Sequence, residues 1–125
     1  MQETFKKNNL IVSLTFELAV QALKFCDSLN EMKKWSLADQ ILRSSLSIGA
    51  NVREAQNAES KNDFIHKMKI AAKEADELEY YFEVCIAAGN YPECDQLLNK
   101  TQSICRVLNK IIGSSKQKSA NQHIS

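Results

Sequence analysis

Glycine and proline are scarce, with three and one respectively in 125 residues. So few breakers leave room for long unbroken elements. No β-branched run alternates in steps of two, so no sheet is expected. An excess of one charge is also missing. Sixteen Lys and Arg stand against fifteen Asp and Glu, a net charge of +1. Without a global field, any contact with nucleic acid or an anionic membrane has to be local. No apolar run approaches the ~20 residues of a membrane span, so no membrane partner is expected.

The chemistry of sites is sparse as well. Cys26, Cys85, Cys94 and Cys105 include no C-x-x-C pair, and none has a histidine at metal-ligand spacing. A di-iron bundle would need Glu-x-x-His pairs on facing helices, and Glu74, Glu77 and Glu79 have none. His66 stands alone and His123 falls in a polar tail. No nucleophile elbow, phosphate-cradling glycine loop or metalloprotease helix is present, and no Ser or Cys sits in a recognisable set with a base. The expectations are no metal, no cofactor, no small-molecule substrate and no enzymatic activity. No N-terminal stretch reads as a signal peptide, so reduced thiols and a cytoplasmic location are expected.

What is present is helical periodicity. The composition, 44% hydrophobic and 25% charged, suits one soluble globular domain. A first helix is expected from a cap at Asn8 or Asn9 to near Lys34. Its core stripe is Ile11, Leu14, Leu18, Phe25, Leu29 and Met32, widened by Ala19, Leu23 and Cys26. A second helix is expected to open at Ser36 as N-cap, with Trp35 folding back as a hydrophobic staple. Its stripe is Ala38, Ile41, Ser45, Ile48, Val52 and Ala55. Gly49, costing about 1 kcal/mol inside a helix, is expected at a close approach of another backbone.

A third helix is expected from Ser60, capped with Asp63, to Gly89, with the seam Phe64, Met68, Ala71, Ala75, Leu78, Phe82 and Cys85. A fourth is expected from Pro92 at its first position to Gly113, with the stripe Leu97, Thr101, Ile104, Leu108 and Ile111. Residues 114–125 read as a polar, disordered tail, leaving 1–113 as the domain. Four helices with short connections predict an all-α, up-down-up-down four-helix bundle.

Ser44, Ser47, Asn51 and Glu54 follow one another at steps of three, four and three, so they share a face of the second helix. That face reads either as a binding face or subunit contact, or as a solvated surface with local Ser back-bonding. Arg43, Lys67 and Lys73 are candidate partners for Glu54, Asp63 and Glu74.

The stretch LRSSLSIGANVREAQNAESKNDFIHKMKIAAKEADELEYYF carries a recognisable pattern. It comprises Arg43-Ser44-Ser45, Ser47-Ile48-Gly49-Ala50-Asn51, Glu54-Ala55, Ser60, Asp63-Phe64, Lys67, Ile70-Ala71, Lys73-Glu74 and Glu77 with Tyr80-Tyr81. In these residues the chain resembles the 23S rRNA intervening-sequence proteins, a bacterial family also called ribosomal-protein-like, over roughly residues 8–112. Many members have Tyr-Trp where this chain has Tyr80-Tyr81. The resemblance implies a left-handed bundle assembled as a homopentamer. A more distant similarity is to the accessory variability protein of diversity-generating retroelements, a pentameric bundle that binds nucleic acid.

The resemblance favours a polar network between helices or between subunits, made of Arg43, Ser44, Ser47, Asn51, Glu54, Asp63, Lys67 and Glu74, in which Asn51 and Glu54 meet partners across the second and third helices. The resulting expectation is a homo-oligomeric scaffold. The alternative is an RNA- or DNA-binding accessory protein, its contacts drawn from Arg53, Lys61, Lys69 and Lys73, with Arg106, Lys110, Lys116 and Lys118 behind. A ring would repeat each cation and turn a weak patch into an effective one.

Overall fold

A computed structural model describes residues 9–124, with side chains described to residue 118. Residues 1–8, at the start of the expected domain, and Ser125 lie outside the described residues. Four helices make up the fold: α1 Leu10–Glu31, α2 Trp35–Gln56, α3 Lys61–Ala88 and α4 Asp95–Ile124. Each packs on its neighbour in the chain, and α4 returns to α1, closing an up-down-up-down array.

The expected stripes become the core, except that Met32 lies past the end of its helix and is exposed. Leu18, Ile41, Ile48, Met68, Leu78, Phe82, Ile104 and Leu108 are fully buried. Phe25 of α1 and Phe82 of α3 meet edge to face across the bundle, with ring centroids 5.6 Å apart. Cross-helix links set the antiparallel register. The Cys26 thiol donates to the Ala38 carbonyl at 3.4 Å, and the Lys100 ammonium donates to Glu17 at 3.0 Å.

Three helices depart from expectation at their ends. The first is α1, which stops at Glu31. Lys33, at φ 61°, takes the left-handed position usually given to glycine. The Lys33 N–H reaches the Asn30 carbonyl at 3.0 Å and the Lys34 N–H reaches Leu29 at 2.9 Å, which together form a Schellman closure.

That tight turn moves the start of α2. The helix begins at Trp35, with Lys34 in the capping position, so Ser36 lies inside the first turn and makes no cap hydrogen bond. Trp35 is 62% exposed and staples nothing. Asp39 instead takes the Arg43 guanidinium at 2.6 Å, one turn on.

The third departure is α4. It begins at Asp95 rather than at Pro92, because Cys94 is buried first, its thiol donating to the Phe82 carbonyl at 3.7 Å. Tyr91 and Pro92 are used in crossing from α3. At the other end α4 runs through Gly113 to Ile124. One glycine costs about 1 kcal/mol in a helix interior and does not end it unless the chain turns left-handed there. The α3 expectations hold. Ser60 Oγ accepts the Asp63 N–H at 3.1 Å, and Gly89 ends the helix at φ 81°.

Candidate functional site

Helix α2 has a flank on either side of its buried stripe, and the two are built from different residues. The flank toward α3 is polar. Lys67 donates to Glu54 at 3.2 Å, and the Tyr81 hydroxyl donates to the Gln40 side chain at 3.2 Å. Between them Asn51 donates to the Ser47 carbonyl at 2.9 Å and to its hydroxyl at 3.2 Å. Ser44 and Ser45 are buried, and the Ser45 hydroxyl donates to the Leu42 carbonyl at 3.0 Å. No buried side-chain nitrogen or oxygen among the described residues lacks a partner.

The residues expected to form one network are therefore dispersed. Glu54 and Lys67 join α2 to α3. Ser47 and Asn51 pair along α2, Arg43 turns to Asp39, and Asp63 caps α3. Glu74 is half-buried and takes part in no ion pair among the described residues. The Tyr81–Gln40 link escaped sequence reasoning, since nothing in its spacing marks a pair forty-one residues apart.

The flank toward α1 is apolar and open. A groove of about 460 Å³ runs between α1 and α2. Val12, Thr15, Phe16, Ala19, Val20 and Leu23 line it from α1, and Leu46, Gly49 and Ala50 from α2, with Arg53, Glu54 and Asn57 making one end of it polar. Phe16 is 59% exposed, and Leu23 and Leu46 are also exposed. Sequence reasoning placed Leu23 in the core and passed over Phe16 and Val20. The signal was available: Phe16, Val20 and Leu23 fall at steps of four and three, a second apolar stripe beside the first. Gly49 forms part of the groove floor. A methyl built there would sit 3.6 Å from the Thr15 carbonyl oxygen, an ordinary contact. The two helices approach closely, as expected, yet they leave room for the methyl.

Of the cations expected to meet nucleic acid, Arg53, Lys61, Lys69 and Lys73 are all exposed. Arg53 borders the groove and Lys61 opens α3. Lys69 lies beside Lys116 of α4. The neighbouring Lys69 amine lowers the Lys116 pKa.

All four cysteines are free thiols. Burial, then neighbouring Asp27, pushes Cys26 up to about 11. Burial, then the Glu79 carboxylate to which it donates, pushes Cys105 up to about 12. Thiols held this far above their usual range are poor nucleophiles at neutral pH. No cluster of three or more His, Cys, Asp or Glu suited to a metal occurs among the described residues. No helix among them is long and apolar enough to cross a membrane.

Comparison with known proteins agrees with this architecture. The pattern of the 23S rRNA-intervening sequence protein family matches residues 7–110. A crystal structure of a protein of unknown function from the S23 ribosomal protein family of Bacteroides thetaiotaomicron is similar over most of the chain. It is 39% identical, with a TM-score of 0.79, covering 82% of this chain and 98% of its own. Neither match names an enzymatic activity. No curated protein matches the chain.

Proposed function

The chain belongs to the 23S rRNA-intervening sequence protein family, and from that premise we propose that it is a non-enzymatic scaffold assembled from copies of itself. The observation that carries this reading is the open groove between α1 and α2. Large apolar side chains gathered on one exposed face mark an interaction surface, whereas the same residues scattered singly would mark nothing. Full burial of such a side chain from water is worth roughly 1.5–3 kcal/mol, and with Phe16, Leu23 and Leu46 still 44–59% exposed about half of that remains for each. A surface of that kind left in water is also an aggregation liability, which assembly removes. Five copies is the number that the family resemblance favours.

Static light scattering on the purified chain tests the reading. The expected result is a discrete mass near five times that of the chain, independent of concentration in the micromolar range. A double variant, Leu23→Asp with Leu46→Asp, is expected to fall to the monomer mass while keeping its helical circular dichroism. A wild-type monomer at tens of micromolar would overturn the proposal.

A second reading, contact with RNA or DNA, is supported by the juxtaposition of Lys69 and Lys116. Neither lysine forms an ion pair among the described residues. A phosphate between them would relieve their mutual repulsion. A gel-shift titration against rRNA fragments at several salt concentrations tests it. Binding that weakens with salt, and weakens further in a Lys69→Gln, Lys116→Gln variant, is expected. Binding that is absent at low salt, or indifferent to that variant, rejects this reading.

A further inference from the structure

The groove is one half of a contact, and the chain carries a match for it elsewhere. Along α3, Asp76, Tyr80 and Val84 recur at steps of four and form a single outward ridge. Tyr80 is 63% exposed and Val84 44%, and Asp76 is exposed as well. Neither apolar residue lines the groove of its own copy. With a rise of about 1.5 Å per residue, successive ridge residues stand roughly 6 Å apart.

The α2 wall of the groove has the complementary order. Leu46, Ala50 and Arg53 follow at steps of four and three, a spacing of about 6 and 4.5 Å along the axis. Gly49 and Ala50 leave the middle of that wall without bulk. At one end of the groove Glu54 is already paired with Lys67, whereas Arg53 beside it forms no ion pair among the described residues, and neither does Asp76.

We infer that the α1–α2 groove of one copy receives the Asp76–Tyr80–Val84 ridge of α3 from a second copy. The inference rests on the self-assembly reading above and specifies its interface. Laid antiparallel to α2, the ridge sets Asp76 against Arg53, Tyr80 over Gly49 and Ala50, and Val84 against Leu46. The order of charge, ring and aliphatic group on α3 matches the order of countercharge, hollow and aliphatic group on α2. That match selects a second copy of this chain over an unrelated helix. Groove and ridge are different patches, so the contact is head to tail, and such contacts propagate until they close a ring.

Two damaged chains test this directly. A groove variant, Leu46→Asp, keeps its ridge, and a ridge variant, Tyr80→Asp, keeps its groove. Each alone is expected to be a folded monomer, by light scattering and circular dichroism. Mixed in equal amounts they are expected to form a one-to-one dimer and nothing larger, because one intact groove and one intact ridge remain.

A charge exchange gives a second measurement. Arg53→Asp and Asp76→Arg singly are expected to weaken assembly by about tenfold, and the two together in one chain to restore it. The inference is overturned, with the broader reading intact, if the wild type assembles and Tyr80→Asp assembles equally well. It is overturned likewise if the mixture stays monomeric, or if the charge exchange does not restore assembly. A monomeric wild type would overturn both, and would leave the groove to a different partner.

Discussion

The two flanks of α2 make opposite use of the same helix. Toward α3 the flank is polar, and its groups are met inside the chain: Glu54 by Lys67, Gln40 by Tyr81 and Asn51 by Ser47. Toward α1 the flank is apolar and is left uncovered along its outer side. Polar groups on a helix face are easily imagined as reaching for a partner, and apolar ones as core. Here the polar face is the one met within the chain, and the apolar face is the one open to solvent. The physical reason is that a hydrogen-bonding group can be satisfied by one local acceptor or by water. An apolar surface is satisfied only by being covered.

The sharpest way to break this contrast is to strike residues that belong to neither flank. Leu78→Ala, in the shared core and fully buried, is expected to lower unfolding free energy by about 2–5 kcal/mol. Chemical denaturation of the monomeric groove variant measures it without contribution from assembly. A loss below 1 kcal/mol there would mean that the core is looser than its packing indicates.

A smaller effect sharpens the difference between folding and assembly. Gly49→Ala places a methyl at ordinary contact distance from Thr15 and removes the flexibility cost of glycine. The expected gain in monomer stability is about 1 kcal/mol. The same methyl raises the groove floor, so light scattering is expected to find the assembly weakened while denaturation finds the chain strengthened. A residue that costs the fold and serves the surface is what an interface position looks like. If stability and assembly rise together, Gly49 is no such position.

Much of this was legible from periodicity alone. The α3 seam from Met68 to Cys85 and the α2 stripe from Ala38 to Ala55 are buried as the spacing predicts. Buried stripes are set by a repeat that any reader of the chain can count. The helix boundaries were less legible, because they depend on local closure. Lys33 adopts a glycine-like backbone and so moves the start of α2, and Cys94 is buried ahead of the first turn of α4. Neither follows from the usual capping preferences. The α4 C-terminus was misread because Gly113 looks the same in sequence whether it ends a helix or is crossed by one. The second stripe of α1 could be counted too, but not the fact that it faces a groove. Phe16 and Leu23 are as hydrophobic as Phe25, and only the angular position of each on α1 relative to α2 separates an outward residue from an inward one.

The smallest expected effect concerns the polar flank itself. Glu54 and Lys67 are 3.2 Å apart, but the Glu54 side chain is 56% exposed and that of Lys67 29%. Ion pairs so open to solvent contribute about 0.2–1 kcal/mol, and less in salt. A double-mutant cycle with Glu54→Gln and Lys67→Met in the monomeric background is expected to yield a coupling of about 0.5 kcal/mol or less, fading at 1 M salt. A coupling near 2 kcal/mol would reverse the contrast between the flanks, because the polar side would then hold the fold and not merely register it. A weak coupling leaves the apolar stripes as the source of stability, and gives the pair the role of discriminating against α2–α3 registers that set like charges together.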